Sequence, residues 1–229
     1  MRTLIRLGLV AGVLVATTAV RAYPNFNATQ GILAVPTAEI APMGTLGGAA
    51  DVLFQDDTTL NARVVLGLTP TVEAGAGLII GEDTAFGLTG KLVLPITPGG
   101  FTWGLGASLI AADNDDGFQL FFTGTRPFGS VGIAGAQLLG TLGVSFTDIE
   151  DVSAIRPFLG AQLRLGAGTE LASEFIFEAG DFDESIFSIL LRQRFSERVS
   201  GQLGLTNALG FTGREDSDFF LGLGYAFGG

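Results

Sequence analysis

The chain has 229 residues, with 35 Gly, 19 Phe, no Cys and no His, and its 12 Lys plus Arg stand against 23 Asp plus Glu for a net charge of -11. These counts exclude a His-assisted nucleophile, an imidazole or thiolate metal site, a disulfide framework and, through the acidic balance, nucleic acid as a partner. Charged residues make up 15% of the chain against about 25% in ordinary soluble domains, so a membrane class is expected.

The first element in chain order is residues 1–22. Arg2 and Arg6 precede an apolar run from Leu7 to Ala19, and Val20-Arg21-Ala22 places small residues one and three positions before Tyr23. This is the layout of a cleavable secretory signal peptide, and the apolar run is shorter than the roughly 20 residues that span a bilayer as a helix. In residues 23–43, Pro36 and Pro42 bracket a stretch that suits neither a long helix nor a ladder strand.

From residue 44 the pattern has period two. Phe86, Leu88, Gly90, Leu92 and Leu94 share one parity, while Ala85, Gly87, Thr89, Lys91 and Val93 share the other. Pro157, Leu159, Ala161, Leu163 and Leu165 likewise alternate with Arg156, Phe158, Gly160, Gln162 and Arg164. Side chains along a strand point to opposite faces, so each segment has an apolar side and a small or charged side, as a transmembrane strand of about 10 residues requires. Helical spans fare worse. Leu92 to Ala112 is broken by Pro95 and by Pro98-Gly99-Gly100, and Pro127 to Thr147 carries five glycines.

Twelve such segments are predicted, at 44–55, 58–68, 72–81, 84–95, 100–110, 117–126, 136–147, 154–166, 170–179, 185–196, 199–207 and 218–227. The fold class is therefore all-β, a transmembrane antiparallel up-and-down barrel over residues 44–229. Ten or fourteen strands are the neighbouring parses, because Leu203 to Phe211 and Gly129 to Gln137 divide in more than one way. The connections sort into two sets. Odd-numbered segments are followed by acidic connections: Asp56-Asp57, Glu82-Asp83, Asp113 with Asp115 and Asp116, Asp148 with Glu150 and Asp151, Asp181 with Asp183 and Glu184, and Glu215 with Asp216 and Asp218. Even-numbered ones end in turns without charge, such as Thr69-Pro70-Thr71, Pro127-Phe128-Gly129 and Gly166-Ala167-Gly168-Thr169, with Ser196-Glu197-Arg198 as the exception. Two chemically distinct loop sets in alternation describe the two rims of a barrel in a membrane. Asp113-Asn114-Asp115-Asp116-Gly117 echoes a calcium loop but lacks its downstream acid, so solvated loops are expected and no metal or cofactor.

Gly222, Tyr225 and Phe227 in the last segment resemble the C-terminal assembly signal of bacterial outer-membrane β-barrel proteins. Two departures are Phe220, where a polar residue is usual, and Gly228-Gly229 beyond the final aromatic. The resemblance implies an outer-membrane location, lipid and lipopolysaccharide as surroundings, and insertion by the barrel-assembly machinery. Gly31-Ile32-Leu33-Ala34-Val35-Pro36-Thr37-Ala38, with Gly44 shortly after, resembles the start of YjbH-type outer-membrane barrels linked to exopolysaccharide. Residues 23–43 then enter the lumen as a plug, lie across the periplasmic mouth, or simply lead into the first strand. The plain lead-in is the expectation.

Carried through the chain, the two-face assignment puts Asp51, Arg63, Glu73, Lys91, Arg156, Arg164, Glu170, Glu174, Glu178, Arg192 and Arg194 inside. Pairing Glu178 with Ser188 sets Glu174 opposite Arg192 and brings Arg164 or Gln162 alongside Glu174. These residues read either as a salt-bridge ladder filling the interior, which is favoured, or as a luminal constriction that selects ions or anionic sugars. Many other inward positions are Gly, Ala, Thr or Ser, so a narrow, partly polar channel for small polar or ionic solutes or oligosaccharides is expected. The alternative is a structural or surface-polysaccharide-associated barrel without conductance. Outer-membrane enzymes rely on a His-bearing site, so no catalytic residue is assigned.

Overall fold

The computed structural model describes residue 31 and residues 33–54, 58–81, 84–112, 116–132, 136–149, 152–166, 168–180, 184–209 and 212–227. The expected signal segment, residues 1–22, lies outside the described residues. So do Asp56, Asp57, Glu82, Asp83, Asp113, Asp115, Glu150, Asp151, Asp181 and Asp183 of the acidic loops.

Alternation of large apolar with small or polar residues makes twelve strands. The first six are β1 Leu46–Phe54, β2 Thr59–Thr69, β3 Val72–Ile80, β4 Thr84–Leu94, β5 Thr102–Ala112 and β6 Asp116–Ser130. The second six are β7 Ala136–Ile149, β8 Val152–Leu165, β9 Thr169–Ile176, β10 Ile186–Arg194, β11 Val199–Leu209 and β12 Thr212–Phe227. Each pairs antiparallel with its neighbours in sequence, and β12 closes on β1 with Leu46 opposite Phe227 and Phe54 opposite Phe219. Closure leaves no strand edge unpaired, the condition for crossing a bilayer with strands.

Strands β6 and β12 extend furthest beyond the sequence pattern. β6 continues through the expected turn at Pro127-Phe128-Gly129, because a register shift between Pro127 and Gly129 absorbs the missing proline N–H, with Gly129 at a φ of 92°. β12 starts at Thr212 rather than at residue 218, so Glu215, Asp216 and Asp218 belong to a strand, and Asp218 is buried opposite Thr206.

The outer face is apolar: Leu109, Ile155 and Leu223 are 65%, 63% and 65% exposed. Aromatic pairs gird both rims. Phe54–Phe219 and Phe175–Phe177 lie toward the acidic end, while Phe101–Trp103 and Tyr225–Phe227 lie toward the other. Inside, three phenylalanines among the described residues are buried, and each lies against the glycine directly paired with it. A Cβ added at Gly106 would meet the Phe121 ring at 2.1 Å, one at Gly143 the Phe158 ring at 2.4 Å, and one at Gly204 the Phe220 ring at 2.9 Å. These three glycines leave space for rings that point inward.

Candidate functional site

The parity expected from sequence places Asp51, Arg63, Glu73, Lys91, Glu170 and Glu174 in the lumen, all buried. Charge is tolerated there because partners come from neighbouring strands. Arg63 on β2 pairs with Asp51 on β1, and Asp51 Oδ1 accepts from Gln202 Nε2 of β11 at 2.8 Å. Gln202 Oε1 accepts from Arg192 of β10 at 3.3 Å, and Arg192 Nη1 reaches Glu170 of β9 at 3.0 Å. Glu170 also takes Arg164 Nε of β8 at 3.2 Å. The chain Arg63–Asp51–Gln202–Arg192–Glu170–Arg164 thus follows the wall around half the barrel. On β3 and β4, Glu73 and Lys91 pair at 2.7 Å with both side chains fully buried.

This arrangement corrects the expected register of the β9–β10 hairpin. Ser188 lies opposite Glu174, and Arg192 opposite Glu170. Glu178 lies beyond the end of β9, is exposed, and takes no part in the ladder; its backbone N–H donates to Ser185 Oγ at 3.1 Å. A shift of four residues preserves every inward and outward assignment, so the apolar pattern could not detect it. Gln162 and Arg164 face Ala172 and Glu170, and Gly160 is the β8 partner of Glu174. Arg156 seats the β9–β10 connection, donating to the carbonyls of Phe177 at 3.2 Å and Glu184 at 2.6 Å. Arg194 ends β10 half-buried at the rim opposite the acidic loops.

Glu174 has a different partner. The N–H groups of Leu33 and Val35 donate to its Oε2 at 3.0 and 2.9 Å, and that of Ala34 to its Oε1 at 2.8 Å. Residues 33–41 run inside the barrel, where a plain lead-in was expected. Leu33, Val35, Thr37 and Ala41 are fully buried. The wall holds the segment along its length: Thr123 Oγ1 donates to the Pro36 carbonyl at 2.8 Å, and Thr125 Oγ1 accepts from Ala38 N–H at 2.9 Å. Lys91 Nζ donates to the carbonyls of Thr37 at 2.9 Å and Glu39 at 2.5 Å, and Glu73 Oε2 accepts from Ala41 N–H at 2.7 Å. The Glu39 carboxylate meets Arg164 Nη2 at 2.6 Å. Leu33, Ala34 and Val35 pack with inward Leu53, Phe158, Ile176, Ile186, Leu190 and Phe220. The room that small inward residues suggested is filled by this chain's own residues. The available signal was the set of large apolar side chains at inward parity, which a water-filled lumen has no use for.

A closed twelve-stranded antiparallel barrel with an apolar exterior, aromatic rims and a charged lumen is a transmembrane β-barrel of the outer-membrane type. No family model and no curated protein matches the sequence. Solved structures match its fold. The KdgM porin aligns with a TM-score of 0.61 at 8% identity over 80% of this chain and 99% of its own, and with 0.62 when in complex with disordered oligogalacturonate. The NanC porin gives 0.56 at 6% identity over 79% and 98%, and Omp33 of Acinetobacter baumannii 0.54 at 9% over 80% and 97%. At these identities the likeness is one of fold.

Proposed function

We propose that the protein is a bacterial outer-membrane channel for small polar or ionic solutes or oligosaccharides, whose lumen is closed at rest by residues 33–41. The observation that carries this reading is the lumen wall itself. Ion pairs, glutamines and hydroxyls run along it from strand to strand, chemistry that exchanges readily for water and solute once the internal segment is displaced, while inward apolar side chains gather where Leu33, Ala34 and Val35 pack. The porin fold of the structural neighbours supports the same reading, and an oligosaccharide solute is supported by the oligogalacturonate in one KdgM structure. The lack of His and Cys supports a role without catalysis. Residues 1–22 act as the export signal, Gly222, Tyr225 and Phe227 as the recognition signal for the assembly machinery, and lipopolysaccharide surrounds the acidic rim.

A second reading is a barrel that does not conduct and serves the envelope or anchors surface polysaccharide. The burial of residues 33–41 favours it. Planar bilayers separate the two. The full chain, folded and heat-modifiable, is expected to give discrete conductance steps, with long closed intervals because the segment is held at many points. Silent bilayers from correctly folded protein would remove conduction and leave the second reading.

A further inference from the structure

We infer that the lumen wall is a binding site for a short peptide held in a bent conformation, and that residues 33–41 are its tethered, exchangeable occupant. The wall addresses the backbone of this segment at eight points, beside the apolar packing of Leu33, Ala34 and Val35 and the pairing of Glu39 with Arg164. It takes up the N–H groups of Leu33, Ala34, Val35, Ala38 and Ala41 and the carbonyls of Pro36, Thr37 and Glu39. Strand pairing does not supply these contacts: Glu174, Glu73, Lys91, Thr123 and Thr125 reach out from four strands to meet one non-ladder chain. Two wall glycines let the backbone of the segment lie close to the strands. A Cβ on Gly67 of β2 would stand 2.2 Å from the Pro42 carbonyl oxygen and 2.3 Å from that of Ala41, and one on Gly104 of β5 would stand 3.7 Å from the Ala38 Cα. The occupant's tether is a turn: Thr45 N–H donates to the Pro42 carbonyl at 2.9 Å and Gly44 N–H to Gly67 at 2.8 Å, with Gly44 at a φ of 77°. The ligand class is therefore a short, bent, mainly apolar peptide with one carboxylate, which Arg164 receives. This goes beyond conduction and does not depend on it.

The test exploits a chain without cysteine. Thr37→Cys introduces one buried thiol, smaller than threonine by a methyl group, whose reaction with a water-soluble maleimide reports departure of the segment. Adding Gly67→Val pushes on Ala41 and Pro42 and is expected to speed labelling about tenfold or more, the scale of an overpacking penalty. Gly67→Ala carries the same collision with less bulk and replaces it if valine prevents folding. An acetylated, fluorescent peptide of residues 33–40 ends before the collision. It is expected to bind Gly67→Val saturably by anisotropy, and not to bind the parent at the same concentration, because the tethered segment competes at an effective concentration of about a millimolar. Glu174→Gln in the Gly67→Val chain, or N-methylation of the peptide at the Ala34 amide, should each weaken binding about tenfold or more. Labelling that stays slow in Gly67→Val overturns exchange. Fast labelling without saturable peptide binding, or binding indifferent to N-methylation, overturns peptide recognition. Neither readout measures conductance, so silent bilayers with saturable binding overturn conduction alone.

Discussion

A carboxylate buried in a barrel keeps its charge only where donors replace the water it has lost. Glu73 and Glu174 meet that condition in two ways, one through an ammonium and the other through three successive backbone N–H groups. The inward placement of both was legible from alternation alone. The partner of Glu73 was within reach of sequence reasoning, since Lys91 lies opposite it on the next strand. The partner of Glu174 was not, because it belongs to a stretch without periodicity more than 130 residues away in sequence. Lys91 joins wall to segment, as it pairs with Glu73 and also donates to two carbonyls of residues 37–39. Lys91→Met is expected to destabilise the folded protein by about 3 kcal/mol, because it leaves a buried carboxylate with one donor fewer. Urea unfolding in lipid vesicles, followed by tryptophan fluorescence and heat-modifiability, measures it. Lys91→Met with Glu73→Leu should recover part of that loss.

At the scale of strands, faces were legible and registers were not. A two-residue period fixes which side chains point inward, but any even shift of one strand past another preserves it. The β9–β10 hairpin shows the consequence. Its connection consumes Phe177 and Glu178, which the apolar pattern had assigned to the strand, and the ladder moves by four residues to put Arg192 on Glu170. A double-mutant cycle reads the register directly. Glu170→Gln and Arg192→Gln should show a coupling of about 1 kcal/mol or more in unfolding free energy, as contacting members of one network do. Glu174→Gln and Arg192→Gln should add without coupling beyond about 0.5 kcal/mol, and Glu178→Gln should stay within about that margin of the parent. Coupling of Arg192 to Glu174 instead would restore the register expected from sequence. The three inward phenylalanines belong to the same scale, since each is readable only with the glycine of the next strand that gives its ring room.

For the whole molecule, alternation told a barrel from a soluble sandwich and told one rim from the other, but it could not report on contents. A segment that contributes no strand leaves no period, and its trace was indirect: Leu53, Phe121, Phe158, Leu190 and Phe220 at inward positions. The charges it meets nearly cancel while it is in place. Asp51 has Arg63, Glu73 has Lys91, and Arg164 with Arg192 faces Glu39 with Glu170. Deleting residues 33–41 removes Glu39 and leaves two arginines around Glu170, a local positive excess. It also strips Glu174 of its three donors, a local negative one. The deleted chain is expected to conduct in planar bilayers with larger and longer-lived steps than the full chain. In it, Arg164→Ala should shift the reversal potential in a salt gradient toward cation preference, and Glu174→Gln should shift it toward anion preference. Opposite shifts require that ions pass both groups, which only a path through the lumen provides. If neither substitution moves the potential, the current does not run between these walls, and the segment closes nothing.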